Sequence, residues 1–222
     1  MRSHAIISVM NAGKFITFEG PDGSGKTTVS KAVVKKLSEE GYSLIYTREP
    51  GGSEIAEQIR NVILDPQNTL MDARTEALLY AASRRQHLVE IVKPAMAQGI
   101  TVISDRFIDS SLAYQGIARG IGIDPVYEIN AFAIDDCMPD KTIYLDVSAE
   151  EGLKRIADRV FLDRMDKESV SFHQKVREGY MQILAKYPER IICVDAARDL
   201  DVVVEEACRL VREIIDGSPE KQ

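Results

Sequence analysis

The chain is poor in the residues that mark a metal centre, a disulfide framework or a nucleic-acid surface. Its 222 residues include only three cysteines and three histidines, and neither set has the close spacing of metal ligands. The odd number of cysteines and their wide separation argue against a disulfide framework and favour reduced thiols in the cytosol. The formal net charge of −7 argues against the basic surface that nucleic-acid binding requires.

Long apolar runs are also missing. The short run at residues 5–10 does not reach the length of a signal-peptide core, and no stretch approaches a membrane span. We therefore expect a cytoplasmic protein with no membrane partner and no nucleic-acid partner. The hydrophobic content of 45% is ordinary for a globular protein, and the length allows a substantial core.

The most informative stretch is the glycine-rich segment at residues 15–28, which contains F-I-T-F-E-G-P-D-G-S-G-K-T-T. It satisfies the pattern G-x-x-x-x-G-K-[ST], with an apolar strand pattern before it and a helical pattern after it. Glycines let the backbone curl so that N–H groups point inward at an anion, and the helix N-terminus adds its dipole. The motif therefore predicts a nucleotide phosphate site formed by Gly20, Pro21, Asp22, Gly23, Ser24, Gly25, Lys26, Thr27 and Thr28.

Two of these residues have predicted roles in the chemistry. Lys26 is expected to contact the β- and γ-phosphates of the nucleotide, and the hydroxyl of Thr27 is expected to bind Mg²⁺. A chance match within a turn is the alternative, and the strand-then-helix context argues against it.

Strand patterns alternate with helical patterns along the rest of the chain. Five apolar stretches are predicted as strands: residues 14–19, 42–47, 100–104, 142–147 and 190–194. Long helices are predicted at residues 73–98, with a kink at Pro94, and at residues 107–119. The alternation predicts an α/β fold, in which a five-stranded parallel sheet has helices on both faces.

Domain boundaries follow from the same patterns. The chain has no internal repeats and no linker-like runs, so a single domain is predicted over residues 14–216. Residues 1–13 precede the first strand and are predicted as an N-terminal extension of uncertain order. Residues 217–222 are predicted as a C-terminal tail.

Charged residues follow two of the predicted strands. Arg48 and Glu49 come after the second strand, and Asp105 and Arg106 come after the third. Ligands bind beyond the carboxyl ends of parallel strands, where an acid helps to hold Mg²⁺ and arginines bind phosphate with paired N–H groups. From position alone, a local ion pair between Asp105 and Arg106 remains open, as does a solvated surface position for Arg48 and Arg60.

Five blocks of sequence together resemble those of bacterial thymidylate kinases. They are the phosphate loop, T-R-E-P-G-G at residues 47–52, A-A-S-R-R at 81–85, D-R-F at 105–107 with S-S at 110–111, and A-Y-Q-G at 113–116. The phosphate loop alone is shared by many unrelated NTPases, whereas T-R-E-P-G-G and Y-Q-G together are specific. The resemblance extends from about residue 14 to the last helix. It implies a P-loop fold of the nucleoside monophosphate kinase type and a homodimer that uses ATP and Mg²⁺ to convert dTMP to dTDP.

The resemblance also implies roles around the base and sugar. Tyr80 would stack on the thymine ring, and Arg84, one helical turn further, would bind thymine O4. Without the resemblance, these two would be predicted as a core tyrosine and a solvated arginine. Gln115 would face the pairing edge of the base, with Ser111 one turn before it, and Tyr114 would crowd the sugar 2′ position.

On the phosphate side, the resemblance implies that Arg48, Arg60 and Arg106 hold the acceptor monophosphate. Glu49 and Asp105 would be carboxylates near the transfer site, with positioning and Mg²⁺-water roles. Transfer is expected to be in-line without a covalent intermediate, because both substrates are held together and charge is stabilised electrostatically.

Eukaryotic-type relatives carry an arginine within the phosphate loop, whereas the phosphate loop of this chain contains none. Relatives without it take the cation from a mobile lid, and the charged segment at residues 158–167 is the predicted lid. Arg159 and Arg164 within it, with Arg155 just before it, are candidates to contact the migrating phosphoryl group. A solvated loop of mixed charge is the alternative.

Two other functions are consistent with part of the pattern. A kinase for another nucleoside monophosphate would keep the phosphate chemistry but lack the set of Tyr80, Arg84 and Gln115. A non-kinase P-loop switch would hydrolyse nucleotide to control the binding of a partner. Against the switch, the chain has no N-K-x-D guanine motif, and the acceptor-side arginines would have no task.

Overall fold

The computed structural model describes residues 12–157 and 163–217. Almost all of the predicted extension and tail, and residues 158–162 of the predicted lid, lie outside this part of the chain. Its elements, in chain order, are β1 Phe15–Glu19, α1 Lys26–Glu39, β2 Leu44–Arg48, α2 Glu54–Leu64, α3 Ala73–His87, a π-helical turn Leu88–Val92, α4 Lys93–Ala97, β3 Thr101–Asp105, α5 Ile108–Ser111, a second π-helical turn Leu112–Ala118, α6 Ile123–Ile134, β4 Lys141–Asp146, α7 Ala149–Ile156, α8 Val170–Lys186, β5 Ile191–Asp195 and α9 Leu200–Asp216.

The strands form one parallel sheet in the order β2-β3-β1-β4-β5, which confirms the predicted α/β architecture. The central strand β1 pairs with β3 on one side and with β4 on the other, so that Phe18 lies between Asp105 and Ile143. Each predicted strand is present, and its ends differ from the prediction by at most two residues. The carboxyl ends of β1, β2 and β3 therefore lie along one edge, where ligands bind in sheets of this kind.

Helices cover both faces of the sheet. On one face, Ile16 and Phe18 pack in a core with residues of α1 and α9, and on the other, Phe15 packs with residues of α6 and α8. Successive strand residues alternate between faces, so Thr17 and Glu19 share the side of Phe15 and are fully buried. Buried polar groups need hydrogen-bond partners, and the loop after β3 supplies them for Glu19. In the described part of the chain, no covering helix is both long and apolar enough to cross a membrane.

Two predicted helices contain wide π-helical turns that 3.6-residue periodicity did not show. The first turn lies immediately before α4, whose second residue is Pro94. Proline has no N–H to donate within a helix, which accounts for a change of hydrogen bonding at this point. The second turn carries Tyr114 and Gln115, and at its end the N–H of Arg119 donates to the Tyr114 carbonyl at 2.8 Å. Such turns are frequent at functional sites because they redirect the side chains that follow.

Candidate active site

A cleft of about 490 Å³ opens at the carboxyl edge of the sheet. Most residues predicted to act on phosphate, sugar or base line it: Asp22, Gly23, Gly25, Lys26, Thr27, Thr28, Arg48, Glu49, Arg60, Tyr80, Asp105, Arg106, Ser111, Tyr114 and Gln115. Five of the predicted residues do not line it, namely Gly20, Pro21, Ser24, Arg84 and Arg164. Arg159 lies outside the described residues.

The phosphate loop curls tightly between β1 and α1. Gly23 and Gly25 have left-handed backbones, with φ of 77° and 88°, which glycine adopts without strain. A side chain at Gly23 would also place its Cβ 2.0 Å from the carbonyl oxygen of Gly152. The loop therefore depends on glycine for its backbone conformation and for its contact with α7.

Lys26, the first residue of α1, is folded back into this loop. Its ammonium group donates to the carbonyl oxygens of Gly20 and Pro21 at 2.9 and 2.8 Å. Burial and then the positive charge of Arg106 lower the pKa of Lys26 to about 8. At neutral pH most of the side chain is charged, and it can exchange the loop carbonyls for phosphate oxygens.

Thr27 and Asp105 form the part of the cleft best suited to a divalent cation. The Thr27 hydroxyl donates to Asp105 Oδ2, and the Tyr46 hydroxyl donates to the same oxygen at 3.5 Å. The described residues contain no group of three or more His, Cys, Asp or Glu side chains that could hold a metal. One carboxylate and one hydroxyl are suited to Mg²⁺ in nucleotide sites, since its remaining ligands there are water and substrate phosphates.

The carboxylate of Asp22 points across the cleft to the residues after β3. Arg106 donates from Nη2 to Asp22 Oδ1, and the Tyr114 hydroxyl donates to Asp22 Oδ2 at 2.8 Å. Burial favours the neutral acid, but Arg106 and Lys26 outweigh it and lower the pKa of Asp22 to about 2. Arg106 is held with a left-handed φ of 74°, a strained conformation for a residue other than glycine. The motif predicted Asp22 only as part of the phosphate loop and did not indicate this contact.

Glu49 is the centre of a buried chain of polar contacts behind the cleft wall. Its Oε2 accepts from Arg84 Nε at 2.7 Å, and its Oε1 lies 3.0 Å from His87 Nδ1. His87 Nε2 lies 2.6 Å from the Thr47 hydroxyl. Both oxygens of Glu49 are therefore engaged, which is consistent with a positioning role. Sequence reasoning missed His87, because a lone histidine in a helical pattern carries no functional signal.

Arg84 is buried, so the prediction of a solvated arginine that position alone gave was wrong. Only 1% of the residue is exposed, and its guanidinium lies 5.0 Å from the centroid of the Phe107 ring. Its Nη1 donates to the Ser111 hydroxyl at 3.1 Å and to the side-chain carbonyl of Asn130. Its predicted contact with a base remains a prediction.

Arg48 and Arg60 converge on one backbone carbonyl. Arg48 Nη1 and Arg60 Nη1 donate to the Pro50 carbonyl at 2.8 and 2.9 Å, and Arg48 Nη2 donates to Glu57 at 3.0 Å. Burial and then the charge of Arg48 lower the pKa of Arg60. Two like charges held together beside the cleft are suited to a doubly charged anion such as a phosphate monoester.

Tyr80 lies in the cleft wall and not in the core, contrary to the prediction from position alone. Burial and then Glu76 raise the pKa of its hydroxyl, so the ring is neutral over the physiological range. Gln115, on the second π-helical turn, also lines the cleft, and its Nε2 donates to Glu76 at 2.7 Å. An aromatic ring and an amide thus lie at the same end of the cleft.

The arginines predicted near the migrating phosphoryl group are separated in the structure. Arg155 lines the cleft, with Nη1 donating to the Ala196 carbonyl at 3.0 Å and Nε to Glu151 at 3.1 Å. Arg164 is turned away and donates to groups on α2 and α3 instead. In this conformation Arg155 lines the cleft and Arg164 does not, and the contact of either arginine with phosphate remains a prediction.

Glu19 is a buried residue that supports the site without lining the cleft, and it was not predicted. Its carboxylate accepts from the backbone N–H groups of Phe107 and Ser110 at 2.7 and 3.2 Å, and from the hydroxyls of Ser110 and Tyr180 at 2.5 and 2.8 Å. It therefore holds the loop that follows β3. Burial and then the neighbouring Asp109 raise the pKa of Glu19 to about 7. The available signal was an acidic residue at the end of a mostly apolar strand.

Comparison with known proteins gives a consistent set of relatives. The family model for thymidylate kinase matches residues 18–207. The chain is 56% identical over 206 residues to a thymidylate kinase of Bacillus velezensis, which covers 92% of this chain and 97% of the relative. It is 61% identical over 199 residues to a thymidylate kinase of Clostridium novyi, covering 89% and 97%. The crystal structure of thymidylate kinase from Ehrlichia chaffeensis superposes with a TM-score of 0.73 at 36% identity, covering 90% of this chain and 99% of that one.

Proposed function

This chain belongs to the thymidylate kinase family and converts dTMP to dTDP with ATP as donor, and we propose that the cleft at the sheet edge performs this transfer with Mg²⁺. The observation that carries the assignment to this cleft is the meeting of three strand ends. The phosphate loop, the Arg48–Glu49 pair and the Asp105–Arg106 pair all line one cavity. Donor phosphates and an acceptor monophosphate can therefore be held side by side.

On the donor side, the loop N–H groups and Lys26 bind the triphosphate. Thr27 and Asp105 would hold Mg²⁺, which when bound neutralises charge on the phosphate oxygens. The acceptor phosphate is already an anionic nucleophile, so no general base is needed. Lys26, Arg106 and Arg155 then stabilise charge on the group in transfer. Arg159, predicted to do the same, lies outside the described residues.

On the acceptor side, Arg48 and Arg60 bind the monophosphate from one wall, and Arg106 binds it from the other. Arg106 must then exchange its contact with Asp22 for one with phosphate, and Lys26 must exchange its loop carbonyls. Electrostatic groups that are already assembled in a partly buried cleft stabilise transferred charge more strongly than solvated groups do.

The side chains at the end of the cleft that receives the base account for the selection of thymine. Tyr80 stacks on the ring, and Gln115 meets the pairing edge. Arg84 reaches O4 from its buried position, oriented by Glu49 and Ser111. Tyr114 stands beside the sugar and favours a deoxyribose, because its ring occupies the space of a 2′-hydroxyl.

We also propose a cytoplasmic homodimer. Helices α2, α3 and α6 pack side by side, and together with the first π-helical turn they carry large apolar side chains that stay exposed in one chain. These are Ile55, Val62, Leu78, Val89, Tyr127 and Phe132. A second copy of this chain, packing the same face against it, would bury them in an isologous interface. Within the described residues all three cysteines are free, which suits a reducing compartment.

An ADP-release assay with ATP and Mg²⁺ tests the assignment, with dTMP, dUMP, dCMP, dGMP, dAMP and UMP as parallel acceptors. Turnover that strongly favours dTMP is the expected result. Preference for another monophosphate would keep the phosphate chemistry and contradict the roles given to Tyr80, Arg84 and Gln115. Slow hydrolysis of ATP that no monophosphate stimulates would indicate a P-loop switch instead.

A further inference from the structure

Glu76 on α3 has no role in the function proposed above, yet it is buried and touches a residue of the base site. Only 1% of it is exposed. Its Oε1 accepts from Gln115 Nε2 at 2.7 Å and from Arg119 Nε at 3.2 Å. Its Oε2 accepts from Arg119 Nη2 at 3.1 Å and from Arg164 Nη2 at 2.6 Å. A carboxylate with this many donors is firmly held in place.

The contact with Gln115 fixes which end of that amide faces the cleft. Burial favours the neutral acid, but hydrogen bonds from Arg119 and Gln115 lower the pKa of Glu76, so it is ionised at neutral pH. An ionised carboxylate only accepts hydrogen bonds, so the NH₂ end of the amide must face it. Gln115 Oε1 is then directed away from Glu76, and among the described residues no group donates to it. Gln115 Oε1 is therefore available as a hydrogen-bond acceptor for a ligand in the cleft.

A fixed acceptor discriminates between pyrimidines. Thymine and uracil carry a donor, N3–H, at the middle of the pairing edge, whereas cytosine carries an unprotonated N3 that only accepts. An acceptor facing an acceptor leaves two buried polar groups unpaired, which is the kind of mismatch that sites reject most strongly. A glutamine free to turn its amide over would accept either base.

We propose that Glu76 is the positioning residue that makes this site select an N3–H pyrimidine over an N3-acceptor pyrimidine, by holding the amide of Gln115 in one orientation. The inference rests on the proposed function, in which Gln115 meets the base. The competing explanation is that Glu76 only neutralises Arg119 and Arg164. Those arginines place two of their three hydrogen bonds on Oε2, while Gln115 makes the shortest contact to Oε1.

The test compares dTMP with 5-methyl-dCMP, which keeps the ring, methyl group, sugar and phosphate and differs only at N3 and C4. The measured quantity is the ratio of kcat/KM for the two acceptors. In Glu76→Gln the side chain at position 76 can donate as well as accept hydrogen bonds. The amide of Gln115 can then flip, so that either its oxygen or its NH₂ group faces the cleft. We expect this ratio to fall about tenfold or more, the value of roughly one hydrogen bond. Glu168→Gln is the matched control, because Glu168 also pairs with Arg119, at 2.6 Å, but does not contact Gln115.

The outcomes separate the two explanations. A fall in the ratio in Glu76→Gln, absent in Glu168→Gln and absent when Gln115→Leu is added, supports the proposal. An unchanged ratio in Glu76→Gln overturns the proposal in favour of charge neutralisation. Equal losses of kcat/KM with both acceptors, together with a lower Tm, lead to the same conclusion. Failure of the wild type to phosphorylate dTMP would instead contradict the proposed function, so the two failures are distinguishable.

A second variant tests the same contact without removing Glu76, and so does not depend on how Glu76→Gln folds. Gln115→Glu places two carboxyl groups in contact, and buried like charges raise the pKa of one of them. The protonated form donates to Glu76 and leaves a carbonyl oxygen for N3–H, so dTMP turnover should fall as pH rises, in a limb that the wild type lacks. A folded Gln115→Glu protein with the wild-type pH profile would overturn the proposal.

Discussion

The hydroxyl of Thr27 donates directly to the carboxylate of Asp105, although 78 residues separate them in the chain. The contact exists because β1 and β3 are neighbours in the sheet, so the helix after β1 starts beside the end of β3. Two hard oxygen ligands are thereby brought together next to the phosphate loop. Their pairing supports the Mg²⁺ position proposed above and gives it a direct test.

Asp105→Asn should weaken the use of Mg²⁺ because the amide lacks the carboxylate charge. We expect the Mg²⁺ concentration for half-maximal activity to rise about 10- to 100-fold. The measurement is a Mg²⁺ titration of dTMP-dependent ADP release at fixed free ATP. Asp146→Asn is the control, because Asp146 also ends a strand but pairs with Arg177 at 3.0 Å outside the cleft. An unchanged Mg²⁺ titration in Asp105→Asn would remove Asp105 from the metal site.

Lys26→Ala removes the ammonium group that donates to two backbone carbonyls of the phosphate loop. Its positive charge is expected to act mainly on the transferring phosphate, so kcat should fall by about three orders of magnitude or more. Lys31→Ala is the control, since Lys31 lies on the same helix and its ammonium lies over the Tyr46 ring at 5.2 Å. Activity close to wild type in Lys26→Ala would contradict the whole assignment of the cleft.

The sheet and the phosphate loop could be predicted because their signals are local. Apolar runs bounded by turns define each strand, and the loop motif lies within fourteen residues of sequence. The boundaries of the strands shifted only slightly, because hydrogen bonding between neighbours, and not composition, decides where pairing ends.

The partners of the buried charges could not be predicted, because they come from distant parts of the chain. Arg84 looks like a surface residue in its helix, yet it is buried by Glu49 and Asn130, 35 and 46 residues away. The contact between Glu76 and Gln115 spans 39 residues. The orientation of Asp22 depends on Arg106 and is equally invisible in the loop motif. Such pairs are decided by tertiary packing and carry no periodicity.

Glu19 gives a prediction about stability and pH. Its pKa is about 7 in the folded protein against an ordinary value of 4.5, so between these values the folded state binds the proton more tightly than the unfolded state. The free energy of unfolding contributed by Glu19 is therefore largest below pH 4.5 and falls as pH rises to 7. The slope approaches about 1 kcal/mol per pH unit.

Glu19→Gln should flatten this slope, because the amide cannot titrate but can still bond the loop after β3. The measurement is urea unfolding at several pH values between 4.5 and 7.5, for the variant and the wild type. Glu39→Gln, an exposed change on α1, is the control and should keep the wild-type slope. Identical slopes in Glu19→Gln and the wild type would show that Glu19 does not titrate in this range.

Phe132→Asp should convert the proposed dimer to a monomer. Phe132 is 92% exposed in one chain, on the apolar face of α2, α3 and α6, and a carboxylate there would be buried without a partner in the interface. Light scattering after size exclusion should give twice the mass of one chain for the wild type and a single mass for the variant. Leu70→Asp is the control, because Leu70 is 98% exposed but lies outside these helices. A monomeric wild type at micromolar concentration would contradict the proposal.

Arg155 and Arg164 should respond to truncation in opposite ways. Arg155 lines the cleft and is partly exposed, so Arg155→Ala should lower kcat about 10- to 100-fold with little change in Tm. Arg164 contributes to the compensation of the buried Glu76, so Arg164→Ala should lower the free energy of unfolding by about 2 kcal/mol. Steady-state kinetics at saturating ATP and dTMP, together with thermal unfolding, give both quantities for each variant.

The kinetics of these two variants also decide whether Arg164 moves to the phosphates during turnover. If Arg164 moves to them during turnover, Arg164→Ala will lose kcat as strongly as Arg155→Ala does, and the contact with Glu76 must break in each cycle. If Arg164 remains an anchor, its loss will reduce stability and leave kcat within a few-fold of wild type. We expect the second result, because three contacts hold Arg164 in place, from its backbone N–H to Leu64, from Nε to Ile63 and from Nη2 to Glu76. The two side-chain contacts would have to be exchanged for one phosphate, whereas Arg155 already lines the cleft.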